Sequence, residues 1–216
     1  MSPRRILVVY GTAYGHTAKV ARRIATMLRS VGDDVTLVDA ADPPRVLNVR
    51  AYDGVVVGSS VTYGRHQRSV RRFVLAHQDD LNSTPSVFFS VSGAAAGRSR
   101  DDRTRARRYI NAFLHETHWR PAHTATFGGC VAYTRYNPLL RLWVRRAMAK
   151  RGGPTDVSRD HELTDWEQVR RVVGDFLAIV PRLPARRPRR IVPAGASPER
   201  AWRFTRSDTA VIASVG

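Results

Sequence analysis

Apolar positions along the chain follow two alternating rhythms. Short continuous runs occur at Arg5–Tyr10, Val35–Val38, Gly54–Ser59, Ser86–Ser92 and Ala125–Val131. Continuous rather than alternating apolar runs are the mark of strands covered on both faces. Between them the spacing lengthens to that of a helix. Val20, Ile24, Ala25, Leu28 and Val31 share one face, with Arg22, Arg23 and Arg29 off it, and Gly32 is placed to end the helix. Ser69–His77 turns Val70, Phe73 and Val74 inward, and Arg103–His115 does the same with Ala106, Ile110 and Phe113. Thr164-Asp165-Trp166-Glu167 matches a capping box opening a last helix that runs through Val169, Val172, Val173 and Phe176 to about Val180. Pro43–Val49 is a connector without a clear period.

Strands alternating with helices predict a parallel sheet with helices on both faces, a three-layer α/β domain over residues 1–181. The alternation pauses at about 132–160, which reads as an insert. Within Pro138–Arg151, Leu140, Trp143, Val144, Ala147 and Met148 fall on one helical face, with Arg141, Arg145 and Lys150 elsewhere. Such a basic amphipathic helix suits either an anionic lipid surface or the flank of the domain. Beyond Pro181, residues 182–216 carry four prolines and eight arginines and are expected to form a disordered tail.

Composition narrows the class. Of 216 residues, 43% are hydrophobic and 25% charged, enough for a soluble core. No apolar run approaches the roughly 18–20 residues that span a bilayer, and the start has no signal-peptide core. The single cysteine, Cys130, excludes an internal disulfide and a cysteine-built zinc site. These features predict a cytoplasmic protein with no resident metal. The net charge of +18, with 34 of the 36 basic residues being Arg, predicts attraction to something anionic.

In an open α/β sheet, ligands bind beyond the carboxyl ends of the strands, which singles out three loops. The first, Thr12-Ala13-Tyr14-Gly15-His16-Thr17, places hydroxyls around a glycine at a helix start. Free amides and the helix dipole there favour a phosphate, although an ordinary Thr N-cap explains the same residues. The second, Ser60-Val61-Thr62-Tyr63-Gly64, offers an aromatic ring for stacking beside an open amide; the bland alternative is a surface loop with a half-buried tyrosine. The third, Ser92-Gly93-Ala94 on to Gly97, has side chains small enough for close backbone approach to a planar ligand, or is simply flexible. Together they describe a flavin mononucleotide site. The chain has neither Gly-Lys-Ser/Thr nor Gly-x-Gly-x-x-Gly at these turns, so a nucleoside-triphosphate or dinucleotide site is unsupported.

The first loop resembles the flavodoxin phosphate signature, with Thr12, Gly15 and Thr17 matching and Tyr14 standing where an inner Thr is usual. A narrower resemblance is to the menaquinone-dependent protoporphyrinogen IX dehydrogenases, themselves flavodoxin-like. It rests on Tyr52–Gly58 running into Ser60–Gly64, Leu81–Ser86 with Phe89–Val91, Trp119-Arg120-Pro121, Gly128-Gly129, Tyr133–Tyr136, Gly152–Asp156 and Thr164–Val169, in order across about 5–178. The resemblance implies strand order 2-1-3-4-5, FMN as cofactor, a porphyrinogen donor, and menaquinone or another quinone as acceptor. Full aromatisation of the porphyrinogen removes six electrons, so two-electron flavin chemistry implies three cycles with no side-chain acid or base required. It also favours peripheral contact of 138–151 with the inner face of the cell membrane. Arg65, Arg98, Arg100 and Arg135 are candidates, by loop position, for the substrate's propionates.

Two other classes compete. A flavodoxin-like electron carrier, or a quinone reductase with a different donor, would keep the same loops, although a carrier is expected to be acidic rather than +18. A non-enzymatic basic protein would bind nucleic acid or lipid through the tail, yet no zinc finger, RNA-recognition sequence or leucine zipper is present, so no specific nucleic-acid partner is expected. His115 and His118 lack a further ligand for zinc. The sequence leaves the oligomeric state open.

Overall fold

The computed structural model describes residues 2–97, 99–150 and 152–181. Its centre is a parallel sheet of β1 (Arg5–Gly11), β2 (Asp34–Asp39), β3 (Gly54–Thr62), β5 (Ser86–Ser92) and β6 (His123–Gly128), in the order β2-β1-β3-β5-β6. β4 (Arg65–His66) is a two-residue strand that folds back antiparallel on the end of β3. Leaving it aside, the order is the expected 2-1-3-4-5.

Successive strand residues point to opposite faces, and the core divides accordingly. Ile6, Val8 and Val56 pack with Ile24 and Leu28 of α1 (His16–Ser30) and with Val169, Val173 and Phe176 of α6 (Trp166–Ile179). Leu7, Val9, Val55 and Val57 pack on the other face with Phe73 of α2 (Arg68–Ala76), Leu81 of α3 (Gln78–Ser83), and Ile110 and Phe113 of α4 (Arg100–Thr117). The continuous apolar runs mark the strands because both faces of each are covered. One polar pair joins the two ends of this sandwich. Arg4 makes a bidentate pair with Asp33 at 2.9 Å, and its Nη1 donates to the carbonyls of Leu177 and Val180 at 3.2 Å.

Two expectations are corrected. The fifth strand ends at Gly128 instead of Val131, because the chain turns away and Cys130–Val131 (β7) pairs antiparallel with His161–Glu162 (β8). The helix at 166 is capped by Asp165, whose carboxylate accepts from the amides of Glu167 and Gln168. Thr164 is therefore not the cap and its hydroxyl is committed elsewhere. α5 (Pro138–Ala149) forms as predicted, capped by Asn137, yet none of its residues is fully buried. The proposed tail at 182–216 lies outside the described residues.

Candidate active site

The carboxyl ends of β1, β3 and β5 and the insert enclose a cavity of about 590 Å³, within the range of cofactor and small-molecule sites. From the predicted loops it is lined by Thr12, Ala13, Tyr14, His16, Thr17, Ser60, Val61, Thr62, Tyr63, Ser92, Gly93 and Ala94. The first two loops are joined by the Ala13 amide donating to Ser60 Oγ at 3.1 Å, and the first and third are each held internally, by the Gly15 amide donating to Thr12 Oγ1 at 2.9 Å and the Ala95 amide to Ser92 Oγ at 3.1 Å.

The start of α1 has the chemistry of an anion cradle. Its N-cap is Gly15, at φ +87°, and no side chain caps the first turn, which also contains no acidic residue. A Thr N-cap is thus excluded. Thr17 Oγ1 is completely buried and has no hydrogen-bond partner among the described residues. A buried, unpaired hydroxyl beside uncapped helix amides is matched by an oxyanion.

At the second loop, Tyr63 and Gly64 have φ +50° and +78°, which makes Thr62–Arg65 a hairpin turn with both central residues left-handed. Glycine takes that conformation freely, whereas tyrosine does so against sterics. Tyr63 is also 89% exposed, so it does little for the core. Replacing Tyr63 with Ala is expected to leave the urea midpoint nearly unchanged and, if its ring stacks on the flavin that the sequence implies, to weaken flavin binding roughly tenfold, about 1–1.5 kcal/mol. Parallel unfolding curves and flavin titrations check this.

Just behind the hairpin, His66 lies against Phe88 and Phe113, and its Nε2 is 2.9 Å from Ser90 Oγ. Burial pulls its pKa down from 6.5 to about 4. The unfolded chain therefore binds a proton that the folded chain refuses between those values, and stability falls as pH drops through 6.5 toward 4. The loss reaches about 3 kcal/mol by pH 4. Urea unfolding at pH 7, 5.5 and 4 should show this decline in the wild type and a weaker one in His66→Gln.

The insert supplies the opposite wall. Leu140, Trp143, Val144, Ala147 and Met148, the predicted apolar face of α5, line the cavity with Cys130, Val131 and Tyr136. Burial raises the Cys130 thiol above its usual pKa, with Asp160 and Glu162 adding to the effect. Sequence reasoning missed Tyr109 and Arg105, which reach the cavity from α4; the apolar face of that helix drew attention to Ala106, Ile110 and Phe113 instead. The insert is clasped to the first loop from several directions. His16 Nε2 lies 2.6 Å from Thr164 Oγ1, which donates onward to the Gly128 carbonyl at 2.7 Å. This fixes the imidazole with its proton on Nε2, and burial lowers its pKa. Lys19 pairs with Glu162 at 2.7 Å, and the rings of Tyr14 and Tyr136 meet edge-on. A Cβ on Gly128 would stand 2.2 Å from the Leu163 carbonyl oxygen, so only glycine lets the returning chain pass so close.

The remaining predicted residues fall elsewhere. Gly15 and Gly64 shape their loops without lining the cavity, and Gly97 packs against the Asp102 carboxylate at the start of α4. Arg65 is exposed on the hairpin. Arg100 lines a separate groove with Arg103, Thr104 and Arg107. Arg135 bonds the Tyr14 carbonyl. Arg98 lies outside the described residues.

The flavodoxin domain family matches residues 7–158. Protoporphyrinogen IX dehydrogenase (quinone) from Escherichia coli strain K12 is 35% identical over 168 residues, covering 76% of this chain and 90% of that protein. The chain belongs to this dehydrogenase family. The family's protein of the same name from Leishmania major is 31% identical over 186 residues, covering 84% and 78% of the two chains. Oxidised flavodoxin 1 from Bacillus cereus matches the fold with a TM-score of 0.51, 15% identity, and coverage of 82% of this chain and 99% of its own. The family resemblance and the α/β fold inferred from the sequence are thus borne out.

Proposed function

We propose that this chain is an FMN-dependent oxidoreductase that oxidises protoporphyrinogen IX to protoporphyrin IX and passes the electrons to a quinone. The observation that carries the reading is that one cavity joins an anion cradle with an unpaired buried hydroxyl to an apolar wall built by the family-type insert. Thr12–Thr17 would hold the phosphate, with Ser60–Gly64 and Ser92–Ala94 against the ring system. When bound, FMN supplies two-electron redox chemistry at its ring, so no side-chain acid or base is required. The chain's own work is to bind, orient and keep water out. Leu140, Val144, Ala147 and Met148 desolvate one side of the cavity. Tyr63, Tyr109 and Trp143 offer rings to a flat tetrapyrrole or quinone. Arg105, on the cavity wall, and Arg65, exposed on the hairpin outside the lining, would meet propionates by charge-assisted hydrogen bonds.

The test is direct. Purified protein should absorb near about 450 nm, lose that absorbance with protoporphyrinogen under anaerobic conditions, and regain it with menadione. Flavin-loaded protein that oxidises no protoporphyrinogen with any quinone would sink the reading.

Among the described residues, no helix is long and apolar enough to cross a membrane. The acceptor is inferred to be menaquinone, reached at the cytoplasmic face of the membrane. Leu139, Leu142 and Trp143 of α5 are 83%, 45% and 69% exposed beside Arg145 and Arg146, a composition suited to an anionic lipid surface. Sedimentation with anionic but not neutral vesicles, lost on replacing Leu139 and Leu142 with Ser, is the expected outcome.

A further inference from the structure

Arg135, exposed at the rim of the site, comes from a part of the chain 121 residues away from the loop it touches. It closes the short turn Tyr133–Arg135, which is pinned on both sides. The amide and hydroxyl of Thr134 donate to Asp160 Oδ1 at 3.0 and 2.9 Å, and Arg141 Nη2 donates to the Tyr136 carbonyl at 3.2 Å. From that turn, Arg135 Nη1 donates to the Tyr14 carbonyl and lies 3.0 Å from where a Cβ on Gly15 would stand. The guanidinium is thus docked on the residue that begins the uncapped helix.

Its charge has not been spent. Among the described residues no carboxylate pairs with Arg135, whereas Lys19, the other cation at this loop, is neutralised by Glu162. One Arg N–H serves the Tyr14 carbonyl, leaving the rest of the donor fork for an anion. The second independent sign of an anion is the fully buried, unpartnered hydroxyl of Thr17 on the same loop. Tyr14 contributes its ring to Tyr136 and its carbonyl to Arg135 rather than a hydroxyl to the cradle.

We propose that Arg135 is a phosphate-positioning residue, a cation delivered by the insert that discriminates FMN from its unphosphorylated counterpart riboflavin and ties cofactor occupancy to ordering of the insert. This rests on the FMN reading given above. A charge-assisted contact to a phosphate dianion contributes enough for about a ten- to hundredfold preference. Linkage makes the effect reciprocal: if Arg135 favours the phosphate, the phosphate must stabilise the turn that carries Arg135.

Flavin-free protein as wild type, Arg135→Gln and Arg135→Lys is titrated with FMN and with riboflavin by fluorescence quenching, and hydrogen exchange is followed over 130–165. The wild type should prefer FMN. In Arg135→Gln the FMN-to-riboflavin preference should fall at least tenfold, with riboflavin affinity within twofold of wild type. Arg135→Lys should recover part of the preference, because it keeps the charge but loses the planar fork. FMN, and not riboflavin, should slow exchange at 130–136. If Arg135→Gln does not fold, Arg135→Lys carries the test, and a severalfold loss of preference is required. Equal weakening of both flavins would reduce Arg135 to a prop for the loop and overturn the proposal, as would an unchanged preference. A wild type that binds neither flavin overturns the FMN reading together with this one, whereas a wild type that binds FMN with an unaltered variant overturns this one alone.

Discussion

Replacing Thr17 with Val is expected to move stability and cofactor affinity in opposite directions. The side chain keeps its shape and exchanges only a hydroxyl, fully buried and without a partner among the described residues, for a methyl group. Holding such a group out of water costs about 1–3 kcal/mol, so the flavin-free variant should be more stable than wild type by about 1 kcal/mol. FMN binding should weaken by about 1.5–3 kcal/mol, ten- to a hundredfold, if this hydroxyl is the one that meets the phosphate, since a hydrogen bond to a charged group is then removed. Thr17→Ser, which retains the hydroxyl, should bind nearly as wild type. Urea unfolding and flavin titration on the same preparations decide the matter. A variant that is less stable and binds FMN unchanged would mean that Thr17 serves packing and not the cofactor.

Asp33→Ala should be strongly destabilising although it lies away from the site, at about 3–5 kcal/mol. The Arg4 guanidinium is 5% exposed and the Asp33 side chain 2%. Removing the carboxylate strands a positive charge where water cannot reach it. The same guanidinium also holds the Leu177 and Val180 carbonyls at the end of α6, where helix carbonyls lack internal partners. The double change Arg4→Met with Asp33→Leu should recover much of the loss, since replacing a buried pair by apolar residues of similar size is often neutral. Urea midpoints for the three proteins test both halves; a loss under about 1 kcal/mol in Asp33→Ala would show that water reaches the pair.

Most of the sheet was readable in the sequence because strands buried on both faces cannot disguise themselves: Val55-Val56-Val57 and Val87-Phe88-Phe89 have no polar face to present. The clasp was not readable. β7 and β8 are two residues each, too short for any period, and they pair across the 29 residues between Val131 and His161. Thr164 and Asp165 are both good capping residues in adjacent positions, and only the draw of the Gly128 carbonyl and His16 on the Thr164 hydroxyl decides between them. The inward face of α5 was legible residue by residue, but its spacing does not say whether the apolar neighbour is lipid or a protein cavity. In the structure that face lines the cavity, while Leu139, Leu142 and the outer edge of Trp143 remain toward water. Arg135 was singled out by loop position for the substrate's propionates, not for the cofactor's phosphate. Its proximity to Tyr14 depends on a fold-back that no local pattern encodes.

α5 is the one long helix of the described residues without a fully buried side chain, yet it forms a complete wall of the cavity. The three loops at the carboxyl ends of β1, β3 and β5 hang from strands sealed in the core, so displacing them means breaking the cooperative centre of the molecule. Lifting α5 breaks far fewer apolar contacts, which puts it at the low end of the protein's spectrum of local opening energies. A flat ligand that enters from the insert side therefore has to displace only the least buried of the cavity's walls.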